Sequence, residues 1–314
     1  MLLGTTITRI ARVSYSELFH SSRNWIFEDL SRFSLDKGSN SARIVELLKP
    51  LGELTLAASL LSRLSHLSED QTWRMALDFS WEQLQEGNLL FDVLKERPDL
   101  LVMLSLYATL HHEGYRNKRL EDQIAQLVST PGFYQTDMLA WRRLDLLVGI
   151  QEFGFRSDID SEISETFERT WLSKCHSPWT LTDAAAYGLT HTAFYMTGYG
   201  FGVSRLPNRV ASYLLDNCLP WTRMYLDEGN FDLAAEMIMT RCCVQSPLKD
   251  AEHLLPNDFL NARLDDGALP CPAYGALTLI FGESDPDRRY FLQHYHTVLV
   301  TCMAAAMAIN RAAH

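Results

Sequence analysis

The chain has 314 residues, and 28 Lys and Arg against 39 Asp and Glu give a formal net charge of −11. Because this excess of negative charge repels nucleic acids and anionic lipid surfaces, we expect neither nucleic-acid nor membrane binding. Hydrophobic residues at 47% and charged residues at 21% are ordinary values for a globular protein, which argues against a disordered, collagen-like or coiled-coil protein.

Apolar residues recur at spacings of three and four along most of the chain, which predicts an all-α fold. Pro50 predicts a break between two helices, because proline lacks the N–H that a helix interior needs. The predicted helices cover residues 43–64 with that break, 71–86, 98–112, 118–127, 136–153, 161–174, 182–196, 208–215, 221–226, 232–243 and 289–308. We expect a single domain over residues 1–314, with 1–40 as a candidate N-terminal extension.

A weak internal repeat links three of these helices. Each has an acidic residue directly before a leucine, at Glu53, Asp145 and Asp232, with spacings of 92 and 87 residues. Between them lie helices with a tyrosine four residues before a histidine, at Tyr107 and at Tyr187. Helical hairpins that alternate in this way either close into an α/α toroid or extend as an open α-solenoid. Polar groups on otherwise apolar helices favour the toroid with a lined cavity, although Asp145 and Asp232 also suit a first helical turn.

Four short segments carry a family resemblance. They are KPLGEL at 49–54, LTHTAFYMTGYG at 189–200, Asp232 with Glu236, and YHTVLV at 295–300. Together they resemble an uncharacterised bacterial all-helical family that is met near biosynthetic gene clusters. The resemblance implies one all-α domain and a role in specialised metabolism, and it implies no particular activity.

One predicted helix carries a polar stripe formed by Asp183, Tyr187, His191 and Tyr195, which recur every four residues. In a wet pocket His191 would act as a general acid or base, and the tyrosines would donate hydrogen bonds to an oxyanion. The alternative is that Asp183 caps the helix and that His191 is a hydrogen-bonded core residue.

Two carboxylates, Asp232 and Glu236, lie one turn apart on another predicted helix. If water is excluded, such a pair raises one pKa so that a proton is held at pH 7. The alternative is a helix start in which Glu236 is solvated or paired with Arg241. Further along, His294 and His296 point to opposite sides of one helix, so we expect His296 in the interior and His294 at the surface.

Several chemistries and compartments are excluded by missing signals. Six scattered cysteines and the absence of a secretory leader predict free thiols and a cytoplasmic protein without a membrane span. No phosphate-binding loop, nucleophile elbow, C-x-x-C or H-E-x-x-H occurs, so we expect no cofactor and no metal. A zinc site assembled from Cys243, Cys271 and His296 stays open.

The sequence therefore predicts a cofactor-independent tailoring enzyme that uses acid–base catalysis for an isomerisation, elimination or cyclisation. The partner would be a small-molecule or peptide substrate, free or carrier-bound, and a homodimer is the assembly we consider. The alternative is a non-catalytic helical-repeat protein that binds a partner protein or peptide. The candidate catalytic residues are His191, Glu236, Asp183 and His296, and the candidate substrate-binding residues are Tyr187, Tyr195 and Asp232.

Overall fold

The chain folds into α-helices, as its periodicity predicts. A computed structural model describes residues 2–35, 41–67, 69–98, 103–130, 137–244, 255–272 and 283–312, and none of these residues forms a strand. The described residues form fourteen α-helices: α1 Leu2–Glu28, α2 Ser41–Ser62, α3 Gln71–Gln83, α4 Asn88–Glu96, α5 Met103–His112, α6 Lys118–Ser129, α7 Ala140–Glu152, α8 Asp160–Phe167, α9 Trp171–Lys174, α10 Asp183–Thr197, α11 Asn208–Asp227, α12 Phe231–Val244, α13 Leu255–Ala262 and α14 Pro286–Ala312.

The predicted break at Pro50 is wrong, and so is the predicted gap between the segments 208–215 and 221–226. Helix α2 continues through Pro50, and α11 continues through Pro220 and joins two segments that we expected to be separate. The apolar residues on both sides of Pro50, such as Leu47 and Leu54, are buried. Packing of both halves onto the core therefore compensates for the backbone hydrogen bond that proline removes.

Other boundaries also differ from the prediction. The segment 161–174 is two helices, because Thr170 accepts a hydrogen bond from the N–H of Ser173 and starts a new short helix. The predicted helix 71–86 ends at Gln83, and the following helix α4 was not predicted, nor were α1 and α13. Residues 99–102 and 136, which the prediction placed in helices, lie outside the described residues.

Six of the helices contact one another in a series that returns to its first member. Helix α5 packs against α2 and α7, α10 packs against α7 and α12, and α14 packs against α12 and α2. The helices with the acid–leucine repeat, α2, α7 and α12, thus alternate in this series with α5 and α10, which carry the tyrosine–histidine spacing, and with α14. A further helix lies against several members, for example α3 on α2, α8 on α7 and α11 on α12.

Helix α12 is buried on every side. All residues from Phe231 to Cys243 are buried, including Asp232, Glu236 and Arg241. Helices α10, α11 and α14 cover this helix. The two carboxylates that are one turn apart therefore lie inside the protein.

Helix α14 is 27 residues long and runs through the interior between α1, α12 and α2. Alanines 304, 305, 306 and 308 in its second half are buried, and their small side chains permit close packing of neighbouring helices. Among the described residues, no helix, α14 included, combines the length and apolar character that a membrane crossing requires.

Candidate functional site

Five ionisable side chains from four helices meet in the interior, and we call them the central cluster. Glu53 comes from α2, His191 from α10, Asp232 and Glu236 from α12, and His296 from α14. The contact between Glu53 and His296 joins residues 243 positions apart in the chain. Packing of these four helices therefore creates the cluster, which no single segment contains.

His296 lies between two carboxylates. Its Nδ1 lies 2.7 Å from Glu53 Oε2, so the imidazole donates a hydrogen bond to that carboxylate. Its Nε2 lies 3.1 Å from Asp232 Oδ1. Lys49, one turn before Glu53, places its ammonium 3.8 Å from Glu53 Oε1. Positive and negative groups thus alternate from Lys49 to Asp232.

The two carboxylates of α12 are each held by a hydroxyl group of α10. Tyr187 donates a hydrogen bond of 2.5 Å to Asp232 Oδ2, and Thr190 donates a short one to Glu236 Oε2. Asp232 Oδ1 is buried and forms the ion pair with His296 Nε2, without a hydrogen bond of acceptable geometry within the described residues. Thr190, rather than Arg241, is therefore the partner of Glu236.

His191 is oriented by the backbone of its own helix. Its Nδ1 lies 2.8 Å from the carbonyl oxygen of Tyr187 and 3.8 Å from Glu236 Oε2. An Nδ1–H that donates to the carbonyl leaves the lone pair of Nε2 free to accept a proton. The ring packs on Trp141, with centroids 4.8 Å apart. Trp141 fits there because Gly188 has no Cβ, which would lie 3.2 Å from the indole.

Local sequence signals define both ends of helix α10, which carries these groups. Thr182 accepts a hydrogen bond from the N–H of Ala185 and caps the start, and Gly198 ends the helix with a φ of 53°. Tyr199 also has a positive φ, of 55°, which is unusual for a residue other than glycine. The chain therefore turns sharply directly after the polar face of α10.

The protonation states of the cluster follow from burial and neighbouring charges. Burial acts to lower the pKa of His296, but the Asp232 and Glu53 carboxylates prevail and raise it well above its usual value. For Asp232 and for Glu53, burial opposes ionisation, yet His296 holds each pKa below its ordinary value. Burial, and then the charge of Asp232, raise the pKa of Glu236 to about 8, while burial lowers that of His191 to about 4. These shifts favour a protonated Glu236 and a neutral His191 at pH 7.

Three members of the cluster combine a deep position with access to solvent. The side chains of Glu53, His191 and His296 keep 23%, 26% and 27% of their surface exposed, whereas Asp232 and Glu236 keep 3%. Burial is nevertheless the largest influence on the pKa of all five groups. Protein atoms thus surround the five groups densely, while water reaches three of them. We call this partly open position the recess.

A second polar group lies on α7 and at the end of α10. Burial raises the pKa of Asp145 to about 7. Burial and then the proximity of Asp145 also raise the pKa values of Tyr195 and Tyr199. The rings of Tyr195 and His191 lie 6.1 Å apart, so this group adjoins the central cluster.

The structure brings most of the predicted site residues together. His191, Glu236, His296, Tyr187 and Asp232 meet directly. Tyr195 lies beside them. Asp183 is exposed at the first position of α10, outside the cluster, and the cap is Thr182.

Two contributors were missed as site residues, and one surface assignment is wrong. From the sequence, Glu53 was recognised only as an acid of the internal repeat, and its equivalence to Asp232 in that repeat was the signal that could have identified it as a site residue. No sequence signal identified Thr190.

His294 is buried, contrary to the prediction, and its ring forms a hydrogen bond with the carbonyl oxygen of Leu269. Within the described residues Cys243 and Cys271 do not join His296 in a metal-sized group.

A family model described as "Domain of unknown function (DUF6895)" matches residues 19–306, which is most of the chain. No curated protein and no solved structure matches the chain.

Proposed function

This chain belongs to the family of that domain of unknown function, and we propose that it is an enzyme that uses acid–base catalysis on a small molecule or peptide. The observation that carries the proposal is the convergence of Glu53, His191, Asp232, Glu236 and His296 in one recess. Uncompensated burial of so many ionisable groups costs stability, and such clusters concentrate at functional sites.

The architecture that we propose around this recess is an α/α toroid. The series of contacts from α2 through α5, α7, α10, α12 and α14 returns to α2, which an open solenoid would not produce. In a toroid these six helices form the inner wall, and their polar side chains face the central space. The partial exposure of Glu53, His191 and His296 agrees with that placement.

His191 is the proposed proton-transfer residue. Its neutral ring keeps the Nε2 lone pair free because Nδ1 donates to the carbonyl oxygen of Tyr187. When Nε2 accepts a proton from the substrate, the ring becomes an imidazolium ion. Its Nδ1 lies 3.8 Å from the carboxyl group of Glu236, which carries a proton at pH 7. Tyr195, beside the ring, supplies a hydroxyl group for substrate binding.

An isomerisation, elimination or cyclisation suits this arrangement, because each moves protons to and from a substrate and the cluster offers groups that can hold or accept a proton. That this reaction is a tailoring step in the biosynthesis of a natural product is a further part of the proposal. It is supported by the motif resemblance alone.

Deuterium exchange tests the proposal with a mixture of candidate substrates. The purified protein would be incubated in D₂O with a metabolite extract, and mass spectrometry would detect compounds that gain deuterium or change mass. We expect such compounds with the wild type and with His112→Gln, an exposed histidine control on α5, but not with His191→Gln. Identical metabolite profiles for the wild type and His191→Gln would overturn the proposal.

A further inference from the structure

We infer that Asp232, Glu236 and His296 bind a divalent first-row transition-metal ion, with Glu53 orienting the imidazole. This inference goes beyond the proposed function, which uses side chains alone, and it departs from the expectation of a metal-free site. It concerns the innermost part of the central cluster, where the two carboxylates of α12 face α14.

The spacing of the donor atoms fits a single ion. One carboxylate oxygen from Asp232, one from Glu236 and one ring nitrogen of His296 all lie within 4.8 Å of one another. Donor atoms bound at about 2.1 Å to one ion lie about 3–3.5 Å apart unless they are on opposite sides of it. The most widely spaced donors therefore have to draw together by up to about 1.5 Å.

An independent observation points to a missing ligand. Asp232 is 2% exposed, yet its Oδ1 accepts no hydrogen bond within the described residues. This oxygen faces His296 Nε2 in an ion pair of 3.1 Å, without a hydrogen bond of acceptable geometry. The imidazolium thus balances the charge of Asp232 but leaves Oδ1 without a well-placed donor. A metal ion between Oδ1 and Nε2 would replace the Nε2 proton and bind both atoms directly.

In each of the three ligands, one side-chain atom has a hydrogen-bond partner, and another atom is left to bind the cation. Glu53 accepts a hydrogen bond from His296 Nδ1 and so directs Nε2 towards Asp232, as in the carboxylate–histidine pairs behind many metal ions. On binding, the ion would displace the proton of Nε2 and the proton of Glu236, which leave to solvent. Tyr187 donates to Asp232 Oδ2, and Thr190 donates to one oxygen of Glu236. The hydrogen bonds thus fix the orientation of each donor and leave the centre open.

The type of ion follows from the donors. One imidazole nitrogen with two carboxylates matches Mn²⁺, Fe²⁺, Co²⁺ or Zn²⁺ better than Ca²⁺, which prefers oxygen donors alone. Three protein ligands leave coordination positions for water or substrate. His191 keeps its proposed role as a base, because its Nδ1 donates to a backbone carbonyl group.

Calorimetric titration of untagged, chelator-treated full-length protein with Mn²⁺, Co²⁺ and Zn²⁺ tests the site. We expect one equivalent of at least one ion to bind the wild type. His191→Gln, the control inside the cluster, should bind it equally. Asp232→Asn, Glu236→Gln and His296→Gln should lose this binding, and Glu53→Gln should weaken it about 10- to 100-fold.

The outcomes separate the site from the proposed function. The site is refuted if the wild type binds none of the three ions, or if folded Asp232→Asn and Glu236→Gln bind as tightly as the wild type. Should these variants not fold, pulsed electron paramagnetic resonance of Mn²⁺ on the wild type decides, since a signal without histidine nitrogen coupling overturns the site. Metal binding without turnover of any metabolite would refute only the proposed enzyme, and turnover by protein that binds no metal would refute only the site.

Discussion

The replacement Asp145→Asn should change the pH dependence of stability in a defined direction. Burial raises the pKa of this carboxyl group from 3.8 to about 7 in the folded chain. Between these values the unfolded chain has lost the proton while the folded chain still holds it. The free energy of unfolding therefore falls by about 1.4 kcal/mol per pH unit as the pH rises.

The difference between the two pKa values sets the magnitude. About three pH units at about 1.4 kcal/mol give a loss of up to about 4 kcal/mol, complete above pH 7. Asparagine cannot ionise, so the variant should gain up to this amount relative to the wild type between pH 4 and pH 8. Any constant offset, for example from the altered hydrogen bond with Ser105, does not affect this slope.

Urea unfolding followed by circular dichroism at several pH values measures the effect. The control is Asp137→Asn, which changes an exposed aspartate shortly before α7 and should run parallel to the wild type. A difference between wild type and Asp145→Asn that stays constant from pH 4 to pH 8 would refute the reasoning.

Two further replacements test the packing around the cluster. His296→Gln removes the cation between Glu53 and Asp232, so in the presence of a chelator it should lower the free energy of unfolding by about 3 kcal/mol. A change below about 1 kcal/mol in urea unfolding would show that the two carboxylates do not depend on this ring. Gly200→Ala should destabilise by about 1–3 kcal/mol, since φ is +81° and the new Cβ would lie 3.2 Å from Cys243 Cα. Gly114→Ala, with φ +97° and no atom within 4 Å of the new Cβ, adds backbone strain alone; equal melting temperatures for the two variants would contradict the predicted close contact.

The alternation of helix types along the sequence has a structural counterpart. Helices α2, α7 and α12, which carry the acid–leucine repeat, each pack between two helices that lack it, drawn from α5, α10 and α14. The repeat acids Glu53 and Asp232 meet at His296, and Asp145 lies beside Tyr195 and Tyr199. The repeated acid therefore marks inward-facing positions rather than only favourable charges near helix starts.

The sequence by itself determined the helical class and the local pairs of the site. Helical spacing of 3.6 residues places Asp232 one turn from Glu236 and Tyr187 one turn from His191, and the structure keeps both pairs on single helices. Spacing along one helix is a local property, so it can be derived from the residues alone.

Only the tertiary structure decided which of these groups meet. The contact of Glu53 with His296 depends on how α14 packs against α2, and the position of Asp183 outside the cluster depends on where α10 begins. Burial of α12 by three neighbouring helices, rather than its own sequence, turns an ordinary glutamate into one that holds a proton at pH 7. Desolvation and distances between remote side chains arise from packing, and no spacing rule within one helix specifies them.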